Sequence, residues 1–149
     1  MNLKTPYIKV ANIIEEGKLG GPQVRIVMVA SEIKDLVDTT VIMPIENSKI
    51  FRQRCKENNV NYKTMSISRI TKEWRIALRY LAFFPIEIIK ISLYLRKEKF
   101  DLVHISGGSW QYKGLIAAKI MKKKVLWHLN DTSQPLFFRI IFSLFSGWP

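Results

Sequence analysis

The stretch "KVLWHLNDT", Lys124 to Thr132, decides how the rest of the chain is read. Three lysines, Lys122 to Lys124, run into an apolar, β-prone segment, and His128, Asn130 and Asp131 then arrive together. A strand covered on both faces reads as a continuous apolar run, whereas a half-solvated strand alternates. "VLWHL" therefore predicts a buried strand of a parallel sheet. Its polar end predicts either a satisfied turn or a group that faces a ligand.

Working outward, "TTVIM" (Thr39 to Met43, ending at Pro44) and "DLVHI" within Asp101 to Ser106 are runs of the same kind. Tyr7 to Ile14 and Tyr62 to Ile67 complete a set of five predicted strands. Helical patterns fall between them: Gln23 to Ile33, Ser48 to Asn58, Thr71 to Lys99 and Ser109 to Met121. A last pattern spans Gln134 to Phe145. Strands spaced by helices give βαβ units, so the expected fold is α/β, a Rossmann-like doubly wound parallel sheet in a single domain. The length of 149 residues suits one domain with its own core.

The long pattern 71–99 carries Trp74, Leu78, Leu81, Ile88, Ile91 and Leu95 at helical spacing, which predicts a core-facing stripe. Phe83, Phe84, Ile86 and Ile89 widen it, and their closeness to Arg75 and Arg79 leaves room for contact with a membrane surface. Pro85 predicts a kink or a split there. The four charges Arg75, Arg79, Glu87 and Lys90 argue against a transmembrane reading.

The chain holds 24 Lys+Arg against 12 Asp+Glu, a formal net charge of +12. Anionic partners follow from that: phosphorylated small molecules, anionic lipid or nucleic acid. The cations are scattered without interleaved aromatics, which ranks nucleic acid last. The single cysteine, Cys55, makes no internal disulfide and fits a reducing compartment. "MNLKTPYIKV" has no apolar core of a signal peptide. The expected location is cytoplasmic, with peripheral contact at the inner face of the membrane as the accompanying possibility.

Three loops fall beyond strand ends, where open parallel sheets bind ligands. In "EEGKLGGPQVR", Gly20 and Gly21 precede a helix whose free first-turn amides favour an anion; a capped, flexible turn is the competing reading. The order of glycines there fits neither a Walker loop nor G-x-G-x-x-G. In "HISGGSWQYKG", Gly107 and Gly108 turn the chain, Ser109 offers an N-cap, and Trp110 could stack on a sugar or pack on the sheet. His104 lies inside its strand and reads as a satisfied core residue. The third loop is the opening one, where Asp131 or Thr132 suits capping and His128 falls where a substrate would sit. Zinc spacing and the G-x-S-x-G elbow are absent, and the adjacency of Glu15 and Glu16 does not make an acid/base pair. No cofactor and no metal are expected.

"GKLGGPQVR", "FDLVHISGGSW" and "KVLWHLNDT", in that order and spacing, resemble the N-terminal domain of family 4 glycosyltransferases, which have the GT-B fold. The resemblance runs from about Tyr7 to about Phe145. It implies a retaining transfer of a sugar from a nucleotide-sugar donor to a glycan or lipid-linked acceptor. It implies that Gly20 and Gly21 lie near the donor's diphosphate and that His128 is the catalytic-site residue contacting the transferred sugar. Gly107, Gly108, Ser109, Trp110 and Asn130 would line the substrate side. The family's second Rossmann-like domain, with its Glu-x-x-x-x-x-x-x-Glu motif, has no counterpart after Phe145. The expectation is therefore an acceptor-side half, residues 1–149, truncated near residue 146 and inactive alone: a truncated product, a pseudogene remnant, or one chain of a split enzyme whose other half another chain supplies. Two alternatives stand beside it. One is a nucleotide- or dinucleotide-binding Rossmann module, with Glu46 on a ribose hydroxyl. The other is a non-catalytic membrane-peripheral domain.

Overall fold

A computed structural model describes residues 8–69, 74–108, 111–129 and 143; of Trp74, Ile76 and Ala77 it describes the backbone. Nine elements alternate: β1 (Ile8–Ile13), α1 (Gly21–Glu32), β2 (Val37–Pro44), α2 (Lys49–Glu57), β3 (Asn61–Met65), α3 (Trp74–Glu98), β4 (Leu102–Gly107), α4 (Tyr112–Ile120) and β5 (Lys124–Leu129). The predicted last helix, Ser109, Trp110, Asn130, Asp131 and Thr132 lie outside the described residues, Ser143 of that helix excepted.

All pairings are parallel, in the order β3-β2-β1-β4-β5. Strand order reverses direction between β1 and β4, which makes their carboxyl ends the switch point of the sheet. Side chains on alternating strand positions feed two cores. Val41 and Met43 join Ile26, Val27, Phe51 and Cys55 under α1 and α2, while Ile42, between them, joins Ile91, Leu95, Val103 and Ala117 under α3 and α4. Each fully buried Ile or Leu adds ~1.5–3 kcal/mol over its exposed state, so this two-sided burial is what fixes the register. Gly114 lets α4 sit close on the sheet: a Cβ there would stand 2.8 Å from Ile105 Cδ1 and 3.1 Å from Ile13 Cγ2.

Four sequence expectations are corrected. β5 is an edge of the described sheet and alternates between exposed and half-buried positions; Leu126 is 53% exposed. Its apolar run is thus not the mark of a strand covered on both faces. Of the kink or split expected at Pro85, the split is not realised, since α3 is one helix over Trp74–Glu98. The lost amide belongs to an exposed position, so solvent can satisfy the carbonyl that it would have bonded. The core stripe of α3 is real only below its middle. Ile88, Ile91 and Leu95 are buried, but Leu78 and Leu81 are 56% and 65% exposed. The inward line of the upper half is instead Tyr80, Phe84 and Glu87, because a buried lysine, described below, lies under it. α4 begins at Tyr112 with Gln111 at its N-cap, later than the start predicted at Ser109, which lies outside the described residues.

Candidate functional site

The carboxyl rim of the sheet is built from the loop after β1, the end of β4 and the end of β5. β5 places His128 beside Ser106 of β4, one residue before the strand stops. α1 begins at Gly21 directly behind the β1 loop, with Gly20 at its N-cap in extended backbone. No side chain caps that terminus and no acidic residue sits in its first turn, so its leading amides and the positive helix end stay available to an anion. A Cβ on Gly21 would meet nothing within 4 Å. The protein itself therefore does not require glycine there, whereas a ligand approaching the backbone would.

One turn into α1, Arg25 reaches across to β5, and its Nη1 lies 2.8 Å from His128 Nε2. A guanidinium only donates, so Nε2 must accept and the imidazole proton sits on Nδ1. The Nη2 of Arg25 is buried without a hydrogen-bond partner among the described residues. The sequence pattern singles out His128 but not Arg25, although Arg25 closes the quoted "GGPQVR". No local signal marks it, since the partners are 103 positions apart.

His104 stands 6.1 Å from His128, ring to ring. Its Nδ1 is 3.1 Å from Asn12 Nδ2, which donates to it, and Nε2 is 3.5 Å from Ser106 Oγ. Burial first, then the nearby His128 and Arg25, hold its pKa below the ordinary histidine value. His104 is a neutral, hydrogen-bonded strut under the rim.

Gly107 has φ +134, a conformation that L side chains rarely adopt, and a Cβ there would collide with the Gln111 side chain. Gln111 Oε1 accepts from the Glu15 amide at 3.0 Å, tying the β4 turn to the β1 loop. The backbone conformation at Gly107 thus calls for glycine, and Gly108 follows it at the rim. Gly17 has a comparable role, since a Cβ there would stand 2.3 Å from the Glu46 carbonyl oxygen. Glu46 itself is exposed beyond β2.

Beneath the rim lies a cluster invisible in sequence. Lys113, fully buried, sends Nζ to Glu87 at 2.5 Å and to Ser68 Oγ at 3.0 Å, with Glu15 at 3.9 Å and the Tyr80 ring at 3.8 Å. It also donates to the Ser68 carbonyl. Glu15 accepts from the Lys113 amide at 3.0 Å. Desolvation pushes the Glu15 carboxyl up from 4.5 to about 7, against the opposing pull of Lys113. Among the described residues, no group of three His, Cys, Asp or Glu side chains could hold a metal ion.

A five-stranded parallel sheet in this order, flanked by helices on both sides, is a Rossmann-like fold, the fold of one half of GT-B structures. The chain is similar in fold to a glycosyltransferase from Rickettsia africae (TM-score 0.66, 15% identity), covering 92% of this chain and 34% of that one. It is similar to Anabaena HepE in complex with UDP and glucose (TM-score 0.64, 17% identity, 93% and 35% covered). It is also similar to the UDP-GlcNAc 2-epimerase of Neisseria meningitidis bound to UDP-GlcNAc (TM-score 0.62, 14% identity, 95% and 36% covered). The chain thus spans about a third of the length of these structures. No family profile and no curated protein sequence matches it.

Proposed function

We propose that this domain is the acceptor-side half of a retaining family 4 glycosyltransferase that uses a nucleotide-sugar donor. The observation that carries the reading is the Arg25–His128 pair at the carboxyl rim, beside the uncapped, glycine-led start of α1. The neighbours support a UDP-linked sugar, since HepE holds UDP and glucose and the epimerase holds UDP-GlcNAc. A second Rossmann-like domain, from the same longer polypeptide or another chain, would close the cleft and hold most of the nucleotide.

In that cleft the departing nucleoside diphosphate gathers negative charge. The Gly21 and Gln23 amides at the start of α1 and the positive charge of Arg25 would offset it, and a preorganised donor of this kind is typically worth ~3–4 kcal/mol when removed. With Nε2 taken by Arg25, the Nδ1–H of His128 is the group left to hold a sugar hydroxyl. His128 positions the sugar and stabilises the developing charge; it does not attack. Gly20, Gly21, Gly107, Gly108, Ser109, Trp110 and Asn130 belong to the proposed substrate surface.

Saturation-transfer NMR on the 149-residue chain tests the reading. UDP-glucose sugar protons should receive saturation, the effect should vanish in His128→Ala, and NAD should give none. Saturation of NAD alone would establish the dinucleotide module instead. Conversion of the sugar at C2 without an acceptor would replace transfer by epimerisation.

A further inference from the structure

β2 separates β1 from β3 in the sheet, yet the loops after β1 and β3 are tied together twice. The inner tie is the buried Lys113, which bonds Ser68 of the β3 loop through Nζ and Glu15 of the β1 loop through its amide. Ser68 is held at every polar atom, since its amide and hydroxyl also donate to Glu87 at 2.9 and 3.0 Å. The outer tie starts at the next residue. Arg69 is exposed, and its Nη1 pairs with Glu16 Oε2. A guanidinium that springs from so firmly held a residue reaches its partner with little freedom to lose.

Glu16 carries that hold to α1. Its Oε1 accepts from the Lys18 amide at 2.9 Å, and its carbonyl oxygen accepts from Gln23 Nε2 at 3.1 Å. Gln23 is the third residue of α1 and is 3% exposed. Its side chain lies against the N-cap as well: a Cβ on Gly20 would stand 3.3 Å from Gln23 Oε1. Gly20 supplies no capping side chain, so among the described residues the Gln23 side chain is what ties the first turn back to the loop. The leading amides of a helix have no partner within it, and Gly21 and Gln23 carry two of them. Glu16 would also oppose an anion arriving there unless a cation offset its charge, and Arg69 is that cation.

We propose that Arg69 is a positioning residue for the donor site: paired with Glu16, it fixes the loop that sets the first turn of α1, and with it the Gly21 and Gln23 amides. Arg69 acts through Glu16 and does not touch the donor. The consequence for donor binding rests on the transferase reading; the effect on the two amides does not. An exposed ion pair ordinarily adds little to stability, because solvent screens it and ordering two long side chains opposes it. The pair therefore matters for where the amides stand and hardly at all for whether the chain folds.

Amide NMR spectra of the ligand-free 149-residue chain, followed by titration with UDP-glucose, test the proposal. Arg69→Gln and Glu16→Gln should each displace the Gly21 and Gln23 amide resonances and leave that of Leu95, deep under α3, in place. Each should weaken UDP-glucose about 10-fold, and the double variant should be no weaker than the worse single one. Urea midpoints should match wild type. Arg96→Gln removes the same charge from an exposed position in the last turn of α3 and should change neither the two amides nor the affinity. The sign at Glu16 separates positioning from direct contact. If Arg69 met the donor itself, deleting a carboxylate beside it would tighten the binding of an anion. Tighter binding by Glu16→Gln, additive losses, unmoved Gly21 and Gln23 amides, a urea midpoint that falls with the affinity, or equal loss in Arg96→Gln would overturn the proposal. Amides that move as expected in a chain that makes no contact with UDP-glucose would remove the transferase reading and leave the positioning of α1 by Arg69 standing.

Discussion

Arg25 of α1 donates to Nε2 of His128 of β5 over 2.8 Å, so one hydrogen bond spans β1 and β4 and joins the first helix to the last described strand. The pair fixes the histidine tautomer and puts a permanent cation at the rim. If both act on one ligand, their effects must be coupled. In an assembled transferase, His128→Ala and Arg25→Gln should each cut kcat by about 10²–10³, in the range of losing one preorganised donor. The double variant should fall short of the product, with a coupling energy of about 0.5–3 kcal/mol. Additive losses in steady-state kinetics would show that the two residues act separately.

Glycines 17 and 21 separate packing from ligand approach. Gly17→Ala drives a Cβ into the Glu46 carbonyl and should cost about 1–3 kcal/mol in urea unfolding. Gly21→Ala opens onto empty space and should change stability by no more than about 0.5 kcal/mol. Yet Gly21→Ala should weaken the NMR contact with UDP-glucose, because the methyl occupies the approach to the α1 amides. Unchanged contact would mean that the ligand never nears this backbone.

How much of this is legible in the sequence differs by element. Element order and type are readable because apolar residues make up at least half of β1, β2 and β4, with helical patterns between them. "KVLWHL" reads as a strand for a partly wrong reason, since an edge strand with Leu126 half in solvent happens to have the same composition. The exposed upper half of α3 misleads because periodicity records which residues share a face, not whether anything lies opposite. Arg25 and Lys113 escape for a common reason. Each meets its partners only after β1 and β4 pair, and a lysine in "QYKG" carries no local mark of full burial. His128 can be singled out because it stands at a strand end, a position that local pattern does reveal.

Lys113 is the cation at the centre of a buried cluster with two carboxylates. Removing it leaves Glu87 and Glu15 buried without a counter-charge, which typically costs about 3–5 kcal/mol. Lys113→Met should lower the urea midpoint accordingly. Adding Glu87→Gln should recover a large part of the loss, since it removes the charge that was stranded. No recovery in the double variant would show that the lysine acts through packing on Tyr80 and Phe84 instead.

Cys55 lies wholly buried in the core under α1 and α2, and burial pushes its thiol up to about 12. Thiolate is the reactive form, so the native protein should resist a disulfide reagent at about pH 8 and react fully in urea. Immediate labelling of the native chain would place the α2 face in an open state.

The raised pKa of Glu15 makes a signed prediction. In the unfolded chain the group titrates near 4.5, in the folded domain at about 7. Between those values the folded state binds more protons than the unfolded state. Stability from this group is therefore fully present below pH 4.5 and is lost as pH rises through about 7. The loss amounts to about 3 kcal/mol at most, because each tenfold change in proton affinity is worth about 1.4 kcal/mol. Glu15→Gln keeps the acceptor oxygen for the Lys113 amide but cannot ionise. The difference in unfolding free energy between wild type and this variant, measured in urea at about pH 5 and about pH 8, should move in the variant's favour as pH rises. A difference that stays constant, or moves the other way, would mean that the Lys113 ammonium keeps Glu15 ionised in the fold despite its burial.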